Sequence, residues 1–130
     1  MVRLILQAVA KGWVFRPFFF TDGPRGIVMG KCTCFPVSML RGATFDENIE
    51  YEIGQVMAKE ASAFGANLYA GVCINLLRNP RWGRAQETYG EDPYLTSRLG
   101  VAFIKGLQNN GAKHLRTAAC AKHFAVHSGP

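Results

Sequence analysis

The stretch Thr117-Ala-Ala-Cys-Ala-Lys-His-Phe124 is a run of small, mostly apolar residues that leads directly into a lysine and a histidine. An apolar run without alternating polar positions is typical of a strand that is covered on both faces of a parallel sheet. In parallel α/β barrels, functional side chains follow the carboxyl ends of such strands. The stretch therefore predicts an α/β fold, with Lys122 and His123 at the rim of a parallel sheet.

Two earlier segments also end in charged residues. Phe18-Phe-Phe-Thr21 is an apolar run that stops at Asp22 and a Gly-Pro turn. Residues 66–70 and 72–77 are predicted to form one or two short strands, and the loop 78–92 follows them. Because parallel strands present their carboxyl ends at one edge of a sheet, the three segments are expected to place polar groups near one another.

The loop 78–92 contains three arginines, three carboxylates and two aromatic residues in fifteen positions. Charged side chains held on a loop by a rigid scaffold are commonly used for binding and catalysis. Trp82 or Tyr89, beside Arg84 and Glu87, would suit a flat ligand rich in hydroxyl groups, such as a sugar. The alternative is a solvated loop in which the arginines and glutamates pair with one another.

Two helices are predicted between the polar segments. Asp46 is a good N-cap for a helix that ends near Gly65, and its apolar positions are Ile49, Ile53, Val56, Met57 and Phe64. Asp92 and Pro93 are a matched N-cap and first-turn pair. The inward positions predicted for this second helix are Leu95, Leu99, Ala102, Phe103 and Leu107, before Asn109-Asn-Gly111. The order strand, helix, strand, loop, helix, strand is that of βα units in a parallel sheet.

Length and composition limit the fold and the function classes. With 48% hydrophobic and 18% charged residues, the composition is that of a globular protein. A closed eight-stranded βα barrel needs about 250 residues, so 130 residues correspond to part of one. The net charge of +6 raises a nucleic-acid-binding alternative, but the fifteen basic residues are scattered and no nucleic-acid module accompanies them.

The four cysteines do not form a pattern typical of a disulfide framework. Cys73 and Cys120 lie in apolar runs and are expected to be buried thiols, whereas Cys32 and Cys34 are expected to be ordinary thiols on a loop. Cys120, His123 and His127 have metal-ligand spacing. A zinc site is not expected, because no fourth ligand is near in sequence and strand alternation separates Cys120 from His123.

Residues 1–17 are a poorly defined N-terminal segment. Leu4-Ile-Leu6 and Ala8-Val-Ala10 imitate a secretory signal with an Ala-x-Ala site. The apolar core is shorter than the 7–15 residues that such signals need, so cleavage is not expected. No apolar run approaches the length of a transmembrane helix, and no membrane association is expected.

Six groups of motif residues occur together over residues 18–130. They are Thr21-Asp-Gly-Pro-Arg-Gly26, Phe35-Pro36 with Ala43-Thr-Phe-Asp46, Asn79-Pro-Arg-Trp-Gly-Arg84 with Glu87, Gly90-Glu-Asp-Pro93, Gly106-Leu-Gln108 and Lys122-His-Phe124. In this order, they resemble the N-terminal half of the catalytic barrel of glycoside hydrolase family 3, the β-glucosidases and β-xylosidases. The resemblance implies a partial (β/α)₈ TIM barrel, in which residues 18–130 form the truncated N-terminal portion of the domain.

The resemblance also implies roles for single residues. Asp22, Arg84, Lys122 and His123 would bind the hydroxyl groups of the sugar on the non-reducing side of the scissile bond. Glu87 and Trp82 would support them. The nucleophilic aspartate and the acid/base glutamate of the family belong to later motifs, so no catalytic residue is assigned here, and Glu87, Glu91 and Asp92 are not proposed as substitutes.

From this resemblance we expect a fragment of a retaining glycosidase that acts on terminal β-D-glucosyl or β-D-xylosyl residues, inactive in isolation. The expected partners are a β-linked glucoside or oligosaccharide substrate, the remaining part of the barrel and a C-terminal domain. No cofactor, metal, nucleic acid or membrane partner is expected. A non-catalytic sugar-binding remnant is the alternative, and it predicts measurable monosaccharide binding by the isolated chain. A zinc-binding or nucleic-acid-binding module would be identified by metal analysis and by salt-dependent DNA binding.

Overall fold

A computed structural model describes residues 9–10, 13–14, 17–109, 111–124 and 127–129. Two short strands, β1 (Val9–Ala10) and β2 (Trp13–Val14), pair antiparallel. They are followed by β3 (Phe20–Thr21), α1 (Ser38–Gly42), α2 (Glu47–Ala63), β4 (Leu68–Cys73), a 3₁₀ turn (Ala85–Glu87), α3 (Pro93–Gln108) and β5 (Ala118–Lys122). The signal-like residues 1–8 lie outside the described part of the chain.

Strands β3, β4 and β5 form a parallel sheet with β4 in the centre. Thr21 pairs with Tyr69, and Cys73 pairs with Lys122, so the carboxyl ends of all three strands lie along one edge. The register between β4 and β5 shifts between Tyr69 and Val72. Gly71 lies inside this irregularity, and the Tyr69 side chain occupies the space where a Cβ of residue 71 would stand. The prediction of a parallel α/β fold is confirmed.

Helices α2 and α3 begin and end where their capping residues predict. The Asp46 carboxylate accepts hydrogen bonds from the backbone N–H groups of Asn48 and Ile49 at 2.8 and 3.3 Å. The Asp92 carboxylate accepts from Leu95 N at 2.7 Å. Asn109 adopts the left-handed conformation, with φ of 67°, at the end of α3. The carboxylates of Asp46 and Asp92 thus bind backbone N–H groups that have no partner within the helix.

The buried face of α2 differs from the prediction. Ile53 and Met57 are buried as expected, but Ile49, Val56 and Phe64 are partly exposed, between 38% and 44%. The other buried residues of α2 are Glu50, Gly54, Ala58 and Ala61. Gly54 lies so close to α3 that a Cβ there would stand 2.5 Å from the carbonyl oxygen of Phe103. At Gly54 the two backbones therefore leave no room for a side chain.

Arg41 on α1 forms a buried ion pair with Glu50 on α2. Arg41 Nε lies 3.0 Å from Glu50 Oε1, and both side chains are at most 4% exposed. Glu50 Oε2 accepts a hydrogen bond of 2.7 Å from the hydroxyl of Tyr89. Arg41 also lies over the ring of Phe103, 5.4 Å from its centroid. This cluster joins α1, α2, α3 and the end of the loop 78–92.

Two sequence expectations about single residues are wrong. Tyr89 is not available to a ligand, because it is only 4% exposed and its hydroxyl is bound to Glu50. Cys120 is exposed, whereas Cys73 is buried as predicted. Cys120 lies on β5, which pairs only with β4 in the described sheet, so its apolar sequence is not matched by burial. Within the described residues, no helix is both long and apolar enough to cross a lipid bilayer.

Candidate functional site

Asp22 and Lys122 meet at the carboxyl edge of the sheet, although one hundred positions separate them in sequence. Asp22 follows β3 and Lys122 ends β5, the two strands that flank β4. Lys122 Nζ donates to both carboxylate oxygens of Asp22, at 3.0 and 2.8 Å. The lysine side chain is 18% exposed and that of the aspartate is 39% exposed. The pair is therefore partly open to a ligand.

Tyr69 binds the turn that carries Asp22. The hydroxyl of this fully buried tyrosine donates a hydrogen bond to the carbonyl oxygen of Gly23. Burial raises the pKa of Tyr69, so the phenol stays a donor at neutral pH. Gly23 has a φ of 122°, which a residue with a Cβ rarely adopts. The Asp22 carboxylate closes the turn by accepting from Gly23 N at 2.7 Å.

Arg84 and Glu87 form a second ion pair, on the loop that follows β4. Arg84 Nε and Nη2 donate to the two oxygens of Glu87 at 2.7 and 2.6 Å. A 3₁₀ turn over Ala85–Glu87 brings the two side chains to the same side of the loop. The hydrogen bonds from Arg84 are the main cause of the lowered pKa of Glu87, and the Glu87 carboxylate in turn raises the pKa of Arg84.

His123 is oriented by Asn75, which follows the end of β4. Asn75 Oδ1 accepts a hydrogen bond of 2.9 Å from the backbone N–H of His123 and lies 2.8 Å from its Nδ1. Because an amide oxygen only accepts, Nδ1 carries the proton and Nε2 is left with its lone pair. Desolvation, followed by the positive charges of Arg84 and Lys122, lowers the pKa of His123. The imidazole is therefore neutral at pH 7.

The structure brings these charged residues into one electrostatic cluster. Lys122 contributes to the lowered pKa of Glu87, and Asp22 contributes to the raised pKa of Arg84. Trp82 has a different position from the one that the sequence suggested for a ligand platform. It is 5% exposed and packs edge-on against His127, with ring centroids 5.4 Å apart. The ring of Trp82 is therefore a packing surface for His127 and is not exposed as a platform for a ligand.

The sequence did not indicate the roles of three residues near this cluster, which are Tyr69, Asn75 and His127. Asn75 and Tyr69 lie in or directly after apolar strand-like runs, where a single polar side chain is a usable signal for a buried hydrogen-bonding role. His127 was considered only as a metal ligand. In the structure its Nε2 lies 3.2 Å from Arg84 Nη1. No local pattern indicates this contact, because the two residues are 43 positions apart.

A cavity of about 540 Å³ adjoins the cluster. Its lining residues are Ile74, Asn75, Leu76, Arg78, Ala121, His123, Phe124, Ser128 and Gly129. It shares His123 and Asn75 with the cluster but not Asp22, Arg84 or Lys122. We therefore define the site by the convergence of charged side chains and not by the cavity. Within the described ranges, no three His, Cys, Asp or Glu side chains are grouped so that they could hold a metal ion.

Comparison with known proteins gives a family and a set of relatives. Residues 1–129 match the family model for the glycosyl hydrolase family 3 N-terminal domain. The chain is 38% identical over 130 aligned residues to a xylan 1,4-β-xylosidase of Xylanibacter ruminicola, covering 87% of this chain and 15% of that protein. It is 36% identical over 122 residues to the periplasmic β-glucosidase of Salmonella typhimurium, covering 93% of this chain and 16% of that protein.

Solved structures of the same family share the fold. The chain superimposes on β-glucosidase 3B of Thermotoga neapolitana, solved with α-D-glucose, with a TM-score of 0.77, 31% identity and coverage of 84% of this chain and 16% of that one. For the exo-β-xylosidase XlnD in complex with a xylobiose aziridine probe, the TM-score is 0.79, the identity 29% and the coverage 86% and 17%. The parallel sheet and its helices match the N-terminal part of this barrel domain.

Proposed function

Because the chain belongs to glycoside hydrolase family 3, we propose that it forms the sugar-binding subsite of a retaining β-glycosidase. The enzyme would remove terminal, non-reducing β-D-glucosyl or β-D-xylosyl residues. The chain spans about 15% of the length of the curated relatives described above. The activity therefore belongs to a longer polypeptide, to which this part contributes binding groups and not the two reacting carboxyl groups.

One observation carries the proposal: the ends of β3 and β5 and the loop after β4 place Asp22, Lys122, Arg84 and a neutral His123 in one partly open cluster. These groups suit neighbouring hydroxyls on a sugar ring. The carboxylate of Asp22 accepts hydrogen bonds from hydroxyl groups, whereas Lys122 and Arg84 donate them as charged groups. His123 Nε2 adds an acceptor at the same edge.

The arrangement contributes to the reaction by orientation. A retaining glycosidase uses two carboxyl groups about 5–5.5 Å apart and passes through an oxocarbenium-like transition state. Such a mechanism requires that the ring be held in a reactive conformation while the leaving group departs. The two ion pairs fix their own side chains before the sugar binds, so little of the binding energy is lost to ordering them. We propose that this is the role of Asp22, Arg84, Lys122 and His123, with Glu87 and Trp82 in support.

The test uses the whole reading frame that encodes the chain, assayed with an aryl β-D-xyloside and an aryl β-D-glucoside. Asp22→Ala and Lys122→Ala should each lower kcat/KM by roughly 30- to 1000-fold, the effect of losing about 2–4 kcal/mol from a charged hydrogen bond in a desolvated site. Arg84→Lys should also lower it, because an ammonium group cannot replace the planar guanidinium.

Lys113→Ala is the matched control, since Lys113 is an exposed lysine on the segment before β5. It should leave kcat/KM unchanged. If Asp22→Ala and Lys122→Ala both stay within about threefold of the wild type, the change is too small for a lost contact to the substrate, and the proposed sugar site is wrong.

A further inference from the structure

Arg84 has five N–H groups, and two side chains in the described part of the chain use three of them. Glu87 accepts from Nε and Nη2. Nη1 lies 3.2 Å from His127 Nε2. Two N–H groups remain, one on each terminal nitrogen. Each terminal nitrogen therefore keeps one N–H group that can donate a hydrogen bond to a ligand oxygen.

The contact with Arg84 defines the hydrogen-bonding role of His127 Nε2. Arginine only donates hydrogen bonds, so Nε2 of His127 must be the acceptor. This contact turns the lone pair of Nε2 toward the guanidinium. Glu87 contacts Nε and Nη2, whereas His127 contacts Nη1, so the two side chains bind different nitrogens of the guanidinium.

His127 is exposed, but three contacts with other residues hold it in place. Its backbone carbonyl oxygen accepts a hydrogen bond of 2.6 Å from Asn75 Nδ2. Its ring packs edge-on against Trp82, at 5.4 Å, and against His123, at 4.9 Å. Trp82 is itself almost fully buried. An imidazole fixed by a backbone hydrogen bond and two ring contacts can define the position of a side chain that it contacts.

We propose that His127 is a positioning residue of the sugar-binding site: through Nε2 it holds the Arg84 guanidinium in the orientation that leaves one N–H on each terminal nitrogen for the ligand. The identity of that ligand rests on the proposed function, whereas the contact itself does not. His127 thus acts on the substrate through Arg84 and completes the link between the loop after β4 and the segment after β5.

The kinetic test compares two substitutions in the whole enzyme. His127→Phe keeps a ring against Trp82 and His123 but removes the acceptor, whereas His127→Gln supplies an amide oxygen as an acceptor without the ring. We expect His127→Phe to raise KM and to lower kcat/KM roughly 10- to 100-fold, as for one lost hydrogen bond to a charged group. His127→Gln should recover much of this loss. The exposed His114 provides the control, since His114→Phe should change neither parameter.

A second measurement does not depend on activity. Crystal structures of the whole protein without ligand, as wild type and as His127→Phe, should show Arg84 Nη1 beside Nε2 in the first and a guanidinium turned out of its side-on pair with Glu87 in the second. Should His127→Phe not fold, His127→Leu serves the same comparison.

The inference is overturned if the guanidinium keeps its orientation without the acceptor, or if His127→Phe has the kcat/KM of the wild type. A wild-type protein that hydrolyses no glycoside, together with a guanidinium that turns in the variant, would refute the proposed function and leave the positioning role of His127 supported.

Discussion

Glu87 is paired with Arg84 through both carboxylate oxygens, and this pairing sets how a single residue responds to pH. Hydrogen bonds from Arg84 lower the pKa of Glu87, and burial opposes them with a smaller effect. A lowered pKa means that the folded protein binds the proton less tightly than the unfolded chain does. The pairing therefore contributes stability above the ordinary pKa of 4.5, and this contribution is lost as the pH falls through the lower value of the folded state.

Glu87→Gln removes this contribution. The difference in the free energy of unfolding between wild type and variant should be constant from pH 7 to about pH 5 and should shrink below about pH 4.5. Urea unfolding of the whole protein over a pH series measures it. Glu91→Gln, at an exposed position of the same loop, is the control. A difference that grows as the pH falls would contradict the assigned pairing.

Glu50 is a second residue whose pKa is shifted, in the opposite direction. Burial raises its pKa, although Arg41 and the Tyr89 hydroxyl both act to lower it. Glu50→Gln keeps an acceptor for Tyr89 but leaves the Arg41 charge buried without a counter-charge. We expect a loss of about 3–5 kcal/mol in the free energy of unfolding, measured by urea titration.

The double variant Arg41→Met with Glu50→Gln removes the unpaired charge and should recover most of that loss. The single variant Arg41→Met completes the comparison. If the double variant loses as much stability as Arg41→Met and Glu50→Gln lose together, the ion pair between Arg41 and Glu50 makes no contribution, and the loss has another cause.

At the scale of elements, α2 and α3 pack through glycines on both helices. A Cβ on Gly106 would stand 2.2 Å from the carbonyl oxygen of Tyr51, and one on Gly54 would stand 2.5 Å from that of Phe103. These are backbone atoms, which cannot move aside without separating the helices. On the same helix, Ala58 and Ala61 are buried, whereas Val56 is 38% exposed.

Gly106→Ala should therefore destabilise the protein by about 1–3 kcal/mol, although alanine favours a helix more than glycine does. Gly100→Ala is the matched control on the same helix, because its Cβ meets only a methyl group of Ile74, at 2.9 Å. It should cost less stability than Gly106→Ala, because the partly exposed Ile74 side chain can shift where a backbone atom cannot. Thermal unfolding measures the change in stability of both variants. An equal change for Gly106→Ala and Gly100→Ala would refute the close contact between the helices.

At the scale of the whole molecule, the described sheet leaves apolar side chains uncovered. Phe18, Phe20, Ile74 and Phe124 are each more than 40% exposed, and they lie on or beside the strands. Strands β3 and β5 each have one partner within the described sheet. Apolar side chains and strand edges of this kind favour association with other surfaces.

The chain of 130 residues, expressed alone, should therefore self-associate or behave as a loosely packed state that binds a hydrophobic dye. Light scattering coupled to size-exclusion chromatography and a dye-binding assay measure the two outcomes. A monomer with a sharp thermal transition that does not depend on protein concentration would contradict this prediction.

The local sequence by itself determined where α2 and α3 begin and end. Asp46 and Asp92 cap α2 and α3 as predicted, and Gly65 and Asn109 have the positive φ expected at the helix ends. These signals are readable because a capping side chain bonds to backbone groups two or three residues away. The sequence also predicted that Asp22 and Lys122 lie at one edge of the sheet, because each follows an apolar run that was expected to be a parallel strand.

Only the tertiary structure decided which side chains those elements bury and which partners they take. The sequence did not indicate that Glu50 faces the core, that Tyr89 is covered, or that His127 contacts Arg84. Each outcome depends on a neighbour about 40 positions or more away, or on how closely two helices approach. Burial and hydrogen bonding between distant segments are properties of the packed chain, so no local pattern could encode them.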